Sequence, residues 1–170
     1  MSKLQVETIS HTNNTTALTI DSSGRVLTSV KPAFFAYSTA ASTLTSADTD
    51  SKVNFAAEDF DKTNNFANSE FTAPVSGLYH LNVCVNFYST NISSRYVRAR
   101  LYKNGSTTNI ESHTHSSDET SSQDYCAVSF GCTLDLSAND VMSVYAASNV
   151  TNIIVAGFYK TTFFSGHLIG

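Results

Sequence analysis

The sequence predicts an all-β protein built from two packed sheets, on three observations. Tyr79, Leu81, Val83, Val85 and Phe87 alternate with His80, Asn82, Cys84 and Asn86. Strand side chains point to opposite faces in turn, so this stretch is a long central strand with one buried face and one polar face. Cys126, Val128, Phe130, Cys132, Leu134 and Leu136 occupy six successive alternate positions, a second long half-buried strand. No convincing amphipathic helix occurs anywhere, and turn residues separate the apolar runs instead.

Residues 1–30 differ from the rest. Leu4, Val6 and Ile9 give a short β-like run, and residues 11–15 (His-Thr-Asn-Asn-Thr) read as a turn. Leu18 and Ile20 lie on a second strand, closed by Asp21-Ser-Ser-Gly24 before Arg25-Val-Leu27. These pieces hold too few apolar residues to bury a core alone, so they are expected to pack on copies of themselves or on a larger partner.

From residue 31 the pattern is strand, turn, strand. Residues 58–68 read as a polar loop. Pro74, which fixes φ and lacks a donor, and Gly77 bend the chain into the central strand. Residues 95–103 form a strand ending at Asn104-Gly105, a strong tight-turn signal. Residues 111–124 are the most hydrophilic stretch and read as an exposed loop. Residues 141–147 and 153–168 supply the remaining strands. The expected core comprises Phe71, Tyr79, Leu81, Val83, Val85, Phe87, Leu101, Phe130, Leu134, Leu136, Phe164 and Leu168.

The composition fits a globular β protein. Of 170 residues, 41% are apolar, with 11 Phe and 8 Tyr, and only 14% are charged. That aromatic content excludes disorder. A net charge of −4 argues against a phosphate-binding surface, so no nucleic-acid partner is expected. Arg95, Arg98 and Arg100 form the one basic cluster; Arg98 and Arg100 share a strand face and read as solvated. Cys84, Cys126 and Cys132 are an odd count without metal-ligand spacing, and read as reduced small hydrophobes. No leader and no run of about twenty apolar residues is present, so neither secretion nor membrane insertion is expected. The Asn-x-Ser/Thr triplets at Asn14, Asn91, Asn104 and Asn149 are then read as accidents of composition.

A series of motifs in order carries a resemblance over residues 31–170. Phe71-Thr-Ala-Pro-Val-Ser-Gly-Leu-Tyr79 resembles the signature of the globular head of complement component 1q, within the tumour-necrosis-factor-like superfamily. Leu101-Tyr-Lys-Asn-Gly105 looks like that family's Leu-x-Lys-Asn-Gly hairpin. Leu134-Asp-Leu-Ser-Ala-Asn-Asp-Val141 looks like its Leu-x-Leu-x-x-Gly-Asp-x-Val segment, with Asn139 where Gly is usual. Phe164-Ser-Gly-His-Leu-Ile169 looks like its closing strand, with His167 where an aromatic is common. Pro32-Ala-Phe-Phe-Ala36 and Lys52-Val-Asn-Phe55 fit its opening strands. The resemblance implies a jelly-roll sandwich of about ten strands that closes into a homotrimer. Separately, Met1-Ser-Lys-Leu-Gln-Val-Glu-Thr-Ile9 with Thr16-Ala-Leu-Thr-Ile-Asp-Ser-Ser-Gly24 resembles amino-terminal segments of bacteriophage fibre and virion appendage proteins. That implies an anchor or stalk made by Leu4, Val6, Ile9, Leu18 and Ile20.

No catalytic constellation occurs. There is no nucleophile elbow, zinc-protease motif or phosphate loop, and Asp118, Glu119 and Asp124 do not assemble into an acid–base pair. Neither an enzyme nor a cofactor is expected. His113-Thr-His115 is the one metal candidate: on an extended chain both imidazoles point the same way, and imidazole suits zinc, copper, iron and nickel. Its place in a Ser/Thr/Asp-rich loop favours instead a reading as exposed histidines. The family resemblance also raises calcium, for which no acidic motif stands out.

The expected protein is thus a trimeric virion surface protein of a bacteriophage, a fibre, knob or decoration protein. Residues 1–30 attach it to a capsid or tail protein, and residues 31–170 form a head that contacts a host glycan or protein. The alternatives are a capsid cement protein without an adhesive role, and a free complement-head-like lectin.

Overall fold

The structure is a computed structural model that describes residues 6–14, 16–27, 31–89, 95–116 and 124–169, with the side chains of Arg95, Ser116 and Asp124 left aside. Leu4, Asn91, Asp118 and Glu119 lie outside the described residues. The chain divides into two compact units, Met1–Lys31 and Pro32–Gly170.

In the first unit, β1 (Thr8–Ser10), β2 (Thr16–Ile20) and β3 (Val26–Leu27) form a three-stranded antiparallel sheet. The β2–β3 turn is fixed by Asp21, whose carboxylate accepts the Ser23 and Arg25 amides at 2.9 and 3.0 Å. None of the described residues of this unit is buried. Val6, Leu18 and Ile20 are half-buried, while Ile9, Val26 and Leu27 are 46%, 60% and 47% exposed. Three short strands cannot enclose a core, so the apolar residues stay in contact with water.

The second unit is a sandwich of two sheets. One contains β4 (Ala33–Tyr37), β5 (Ser42–Leu44), β7 (Ala57–Asp61), β10 (Gly77–Ser89), β13 (Asp124–Leu136), β15 (Ile153–Val155) and β16 (Phe163–Leu168). The other contains β6 (Ser51–Lys52), β8 (Phe66–Ala67), β9 (Glu70–Thr72), β11 (Arg95–Lys103), β12 (Ser106–Ser116) and β14 (Val141–Ser148). That makes thirteen strands among the described residues where about ten are expected. The excess lies in ladders of two or three residues such as β6, β8 and β15, which carry no periodic signal.

β10 is the spine. β13 pairs with it along its whole length, from Gly77↔Leu136 to Ser89↔Asp124. Its other edge is shared by β16, over Tyr79–Cys84, and β15, at Phe87 and Tyr88. Tyr79, Leu81, Val83, Val85 and Phe87 are fully buried. From the facing sheet, Val97, Ala99, Leu101, Met142 and Val144 meet them. Aromatics bridge the two layers: Phe34 stacks on Phe71 at 4.6 Å and on Phe66 at 5.1 Å, and meets Phe164 edge-on at 5.0 Å. Such pairs add to plain area burial. The Tyr79 hydroxyl donates to the Val75 carbonyl at 2.8 Å, pinning the bend before β10.

Phe71, Leu101, Leu136 and Phe164 are enclosed, whereas Phe130, Leu134 and Leu168 are half-buried and pack on the core margin. Two loops expected from sequence are corrected. Residues 58–68 hold most of β7, paired to β4, and the short β8, with Phe66 buried. Residues 111–116 are strand, not loop, because they continue the β11–β12 hairpin. Both are sheet margins, where neither face needs to be apolar. The hairpin turns on Asn104 and Gly105, with φ of 52° and 76°, the left-handed pair of a tight two-residue turn.

Three distant motifs meet at Asp140. Its carboxylate accepts from Asn104 Nδ2 at 2.8 Å and from the Ser137 amide at 2.7 Å, and pairs with Lys103 Nζ at 2.7 Å. Its carbonyl accepts the Ala73 amide, and the Ala73 carbonyl accepts the Asn139 amide. Asn139 has φ of 73°, a conformation Asn tolerates, so it replaces the usual Gly. Gly166 is needed for contact: a Cβ there would stand 2.5 Å from Leu81 Cδ2 and 3.0 Å from the His80 carbonyl oxygen.

Candidate functional site: two outward sheet faces

The two sheets show different outer faces. On the β13–β10–β16–β4 sheet the outward residues run in rows set by register: Thr133, His80, His167 and Ala33; Gly131, Asn82, Ser165 and Phe35; Ser129, Cys84, Phe163 and Tyr37. None of these is Asp, Glu, Lys or Arg. Phe35 stacks on Phe163 at 5.2 Å and lies 6.5 Å from Phe60 of β7, which is 43% exposed. A second aromatic group, Tyr88, Tyr125 and Phe158, has centroids 5.5–6.0 Å apart. His80 and His167 face each other across β10 and β16 at 5.7 Å. The three cysteines are half-buried; burial pushes the Cys84 and Cys132 thiols up. Sequence periodicity misses this face, since it looks only for one apolar side per strand.

On the β12–β11–β14 sheet the outward residues are Tyr96, Arg98, Arg100 and Tyr102 of β11, with His115, His113 and Glu111 opposite the first three. The expectation that Arg98 and Arg100 are solvated is corrected: their side chains are 17% and 19% exposed. Asp50 accepts from Arg98 at 3.0 Å, from Arg100 at 2.8 Å and from the Tyr102 hydroxyl at 2.7 Å. Glu111 takes the other side of Arg100. Burial pushes the Asp50 carboxyl up, but the Tyr102 and Arg98 hydrogen bonds and the two guanidinium charges outweigh it, so its pKa lies below the ordinary value. Tyr96 donates to Asp48, and that bond, with some burial, raises the phenol pKa.

His113 and His115 project from β12 on the same side and meet edge-to-face at 5.9 Å, with His115 5.8 Å from the Tyr96 ring. With Tyr96, Arg98 and Glu111 they line a shallow cleft of about 320 Å³. Both histidines are exposed. Among the described residues no group of three or more His, Cys, Asp or Glu is placed to hold a metal ion, and no helix is long and apolar enough to cross a membrane.

The second unit is thus a double-layered β domain with one aromatic face and one ion-paired face. Residues 33–169 match the family model for the C1q domain, and the chain belongs to that family. Solved structures agree on the fold, a jelly roll. The globular domain of zebrafish complement 1qA protein is 18% identical, with a TM-score of 0.56, over 83% of this chain and 98% of that one. Eiger TNF from S. frugiperda is 10% identical, with a TM-score of 0.63, over 82% and 93%. Murine APRIL is 12% identical, with a TM-score of 0.58, over 82% and 100%. No curated protein sequence matches the chain. Nothing in this architecture indicates catalysis.

Proposed function

We propose that this chain is a homotrimeric surface head of a bacteriophage virion, attached by residues 1–30 and closed through the aromatic face of its second unit. The observation that carries the reading is that face: three rows of outward residues without a charge, with Phe35, Phe60 and Phe163 partly open to water. An apolar patch of this kind marks an association surface. Copies of the same chain are the occupant that fits, because small residues such as Gly131, Ser129 and Ser165 leave flat ground beside the aromatics. The amino-terminal unit supports attachment, since Ile9, Val26 and Leu27 lie exposed on a sheet with no buried residue. The opposite, ion-paired face is then left free to meet a host glycan or protein.

Two experiments test this. Multi-angle scattering is expected to give three times the 18.4 kDa protomer, and Phe35→Ser with Phe163→Ser together to return the mass to one protomer. A wild-type protein that is a single protomer at micromolar concentration overturns the trimer. A chain beginning at Lys31 is expected to stay folded yet fail to join particles; full decoration by that shortened chain overturns the anchor.

A further inference from the structure

We propose that His113 and His115 form a binding site for a divalent transition-metal ion such as zinc, copper or nickel, in the cleft they share with Tyr96, Arg98 and Glu111. The two residues are separated by one position on a strand, so pairing with β11 holds both imidazoles on one side without help from a loop. Each ring centroid stands roughly 3.2 Å from an ion bound at about 2.0–2.1 Å, so the two rings of a tetrahedral site stand about 5.2 Å apart. The observed 5.9 Å closes to that separation by small rotations of the two exposed side chains. Both side chains are exposed, which keeps the cost of bringing in a hydrated ion low.

Charge on this face favours a cation. Arg98, which lines the cleft, and Arg100 beside it are both neutralised by Asp50, and Arg100 also by Glu111. With Asp48 beside Tyr96, three carboxylates stand against two guanidiniums, leaving one negative charge in excess. An imidazole pair selects borderline metals over calcium and magnesium, which take oxygen ligands. A four-coordinate ion held by two imidazoles keeps two positions for water or for a hydroxyl or carboxylate of a partner. The site therefore gives the ion-paired face a way to grip an oxygen-rich ligand. It rests on strand geometry and not on the oligomeric state.

The test is calorimetric titration of the untagged full chain with zinc chloride, repeated with nickel chloride and with calcium chloride as competitor. The expected result is one zinc per chain, unaffected by millimolar calcium, with His113→Ala and His115→Ala each weakening binding at least tenfold. Because both side chains are exposed, the variants are expected to melt where the wild type does without metal. The other facing pair, 5.7 Å apart but on two different strands and with His80 Nδ1 hydrogen-bonded to the Thr133 hydroxyl at 3.3 Å, serves as the control: His80→Ala with His167→Ala is expected to leave binding unchanged. No saturable zinc binding up to 1 mM (on the order of the weakest specific affinities) overturns the proposal. So does binding that survives loss of both His113 and His115, or that disappears only in the His80/His167 variant.

Discussion

The two outward faces are built on the same core, yet they handle polarity in opposite ways. On the β11–β12 face every guanidinium among the described residues has a carboxylate, and the carboxylate of Asp50 serves two of them and a phenol. The guanidiniums there are thus neutralised within the chain. On the β10–β16–β4 face the three central rows carry no charge of their own, Lys160 and Lys62 lie over the Tyr37 and Phe60 rings, and stacked Phe35 and Phe163 meet water over part of their surface. One face is satisfied within the chain; the other leaves aromatic surface open to water. Charge placement separates the two, since both carry several aromatic rings.

The largest way to break the comparison is to remove what both faces share. Tyr79→Ala empties the layer between the sheets and strands the Val75 carbonyl, and is expected to cost about 3–5 kcal/mol in denaturant unfolding. An unchanged midpoint would mean the sheets do not depend on this layer.

Asp50→Ala should damage one face alone. It leaves Arg98, Arg100 and the Tyr102 hydroxyl without their shared acceptor. The expected loss is about 1–2 kcal/mol, the lower part of the usual penalty because the guanidiniums keep some water. The mass measured by light scattering is expected to stay at that of the wild type. A change of mass would show that the ion-paired face takes part in assembly.

The smallest effect is in acid. Lys103, Asn104 and the Ser137 amide hold the Asp140 carboxyl down to about 2 from an ordinary 3.8, against a weaker upward push from burial. Its folded pKa is depressed, so its contribution is complete above about 3.8 and is lost as the pH falls through 2. Stability is expected to decline over that window, and Asp140→Asn to make the decline shallower. An identical slope in the variant would assign the acid response to other carboxylates, with Asp50 the first to examine.

What the sequence revealed follows the same division. β10, β13 and β11 were legible because each buries one face, and burial writes an alternation into the residues. Asn104-Gly105 was legible because few residues accept that turn. β7 and β12 were not: Ala-Glu-Asp-Phe-Asp and the Thr/Ser/His run of residues 106–116 lie at sheet margins, where no apolar period is imposed. The histidine pair was visible as spacing, but its support was not, because β12 was hidden with it. The Asp50 node was invisible, since it joins residues some fifty positions apart along the chain. The motif around Asp140 shows the converse. Phe71–Tyr79, Leu101–Gly105 and Leu134–Val141 are recognisable separately because they are bonded to one another, and each constrains the next.

The position of β16 has a consequence for biosynthesis. It follows every other strand of its sheet in the chain, yet it lies inside that sheet, between β10 and β4. On the ribosome, β4 and β10 therefore emerge with the edges that will flank it still unpaired. Ala36 and Phe34 must wait for Phe164 and Gly166 to appear more than a hundred residues later. Open edges of this kind invite pairing with a neighbouring chain. A nascent chain of this protein stays vulnerable to its neighbours on the same message until β16 closes the gap, and translation speed over the stretch before Phe163 sets how long that exposure lasts.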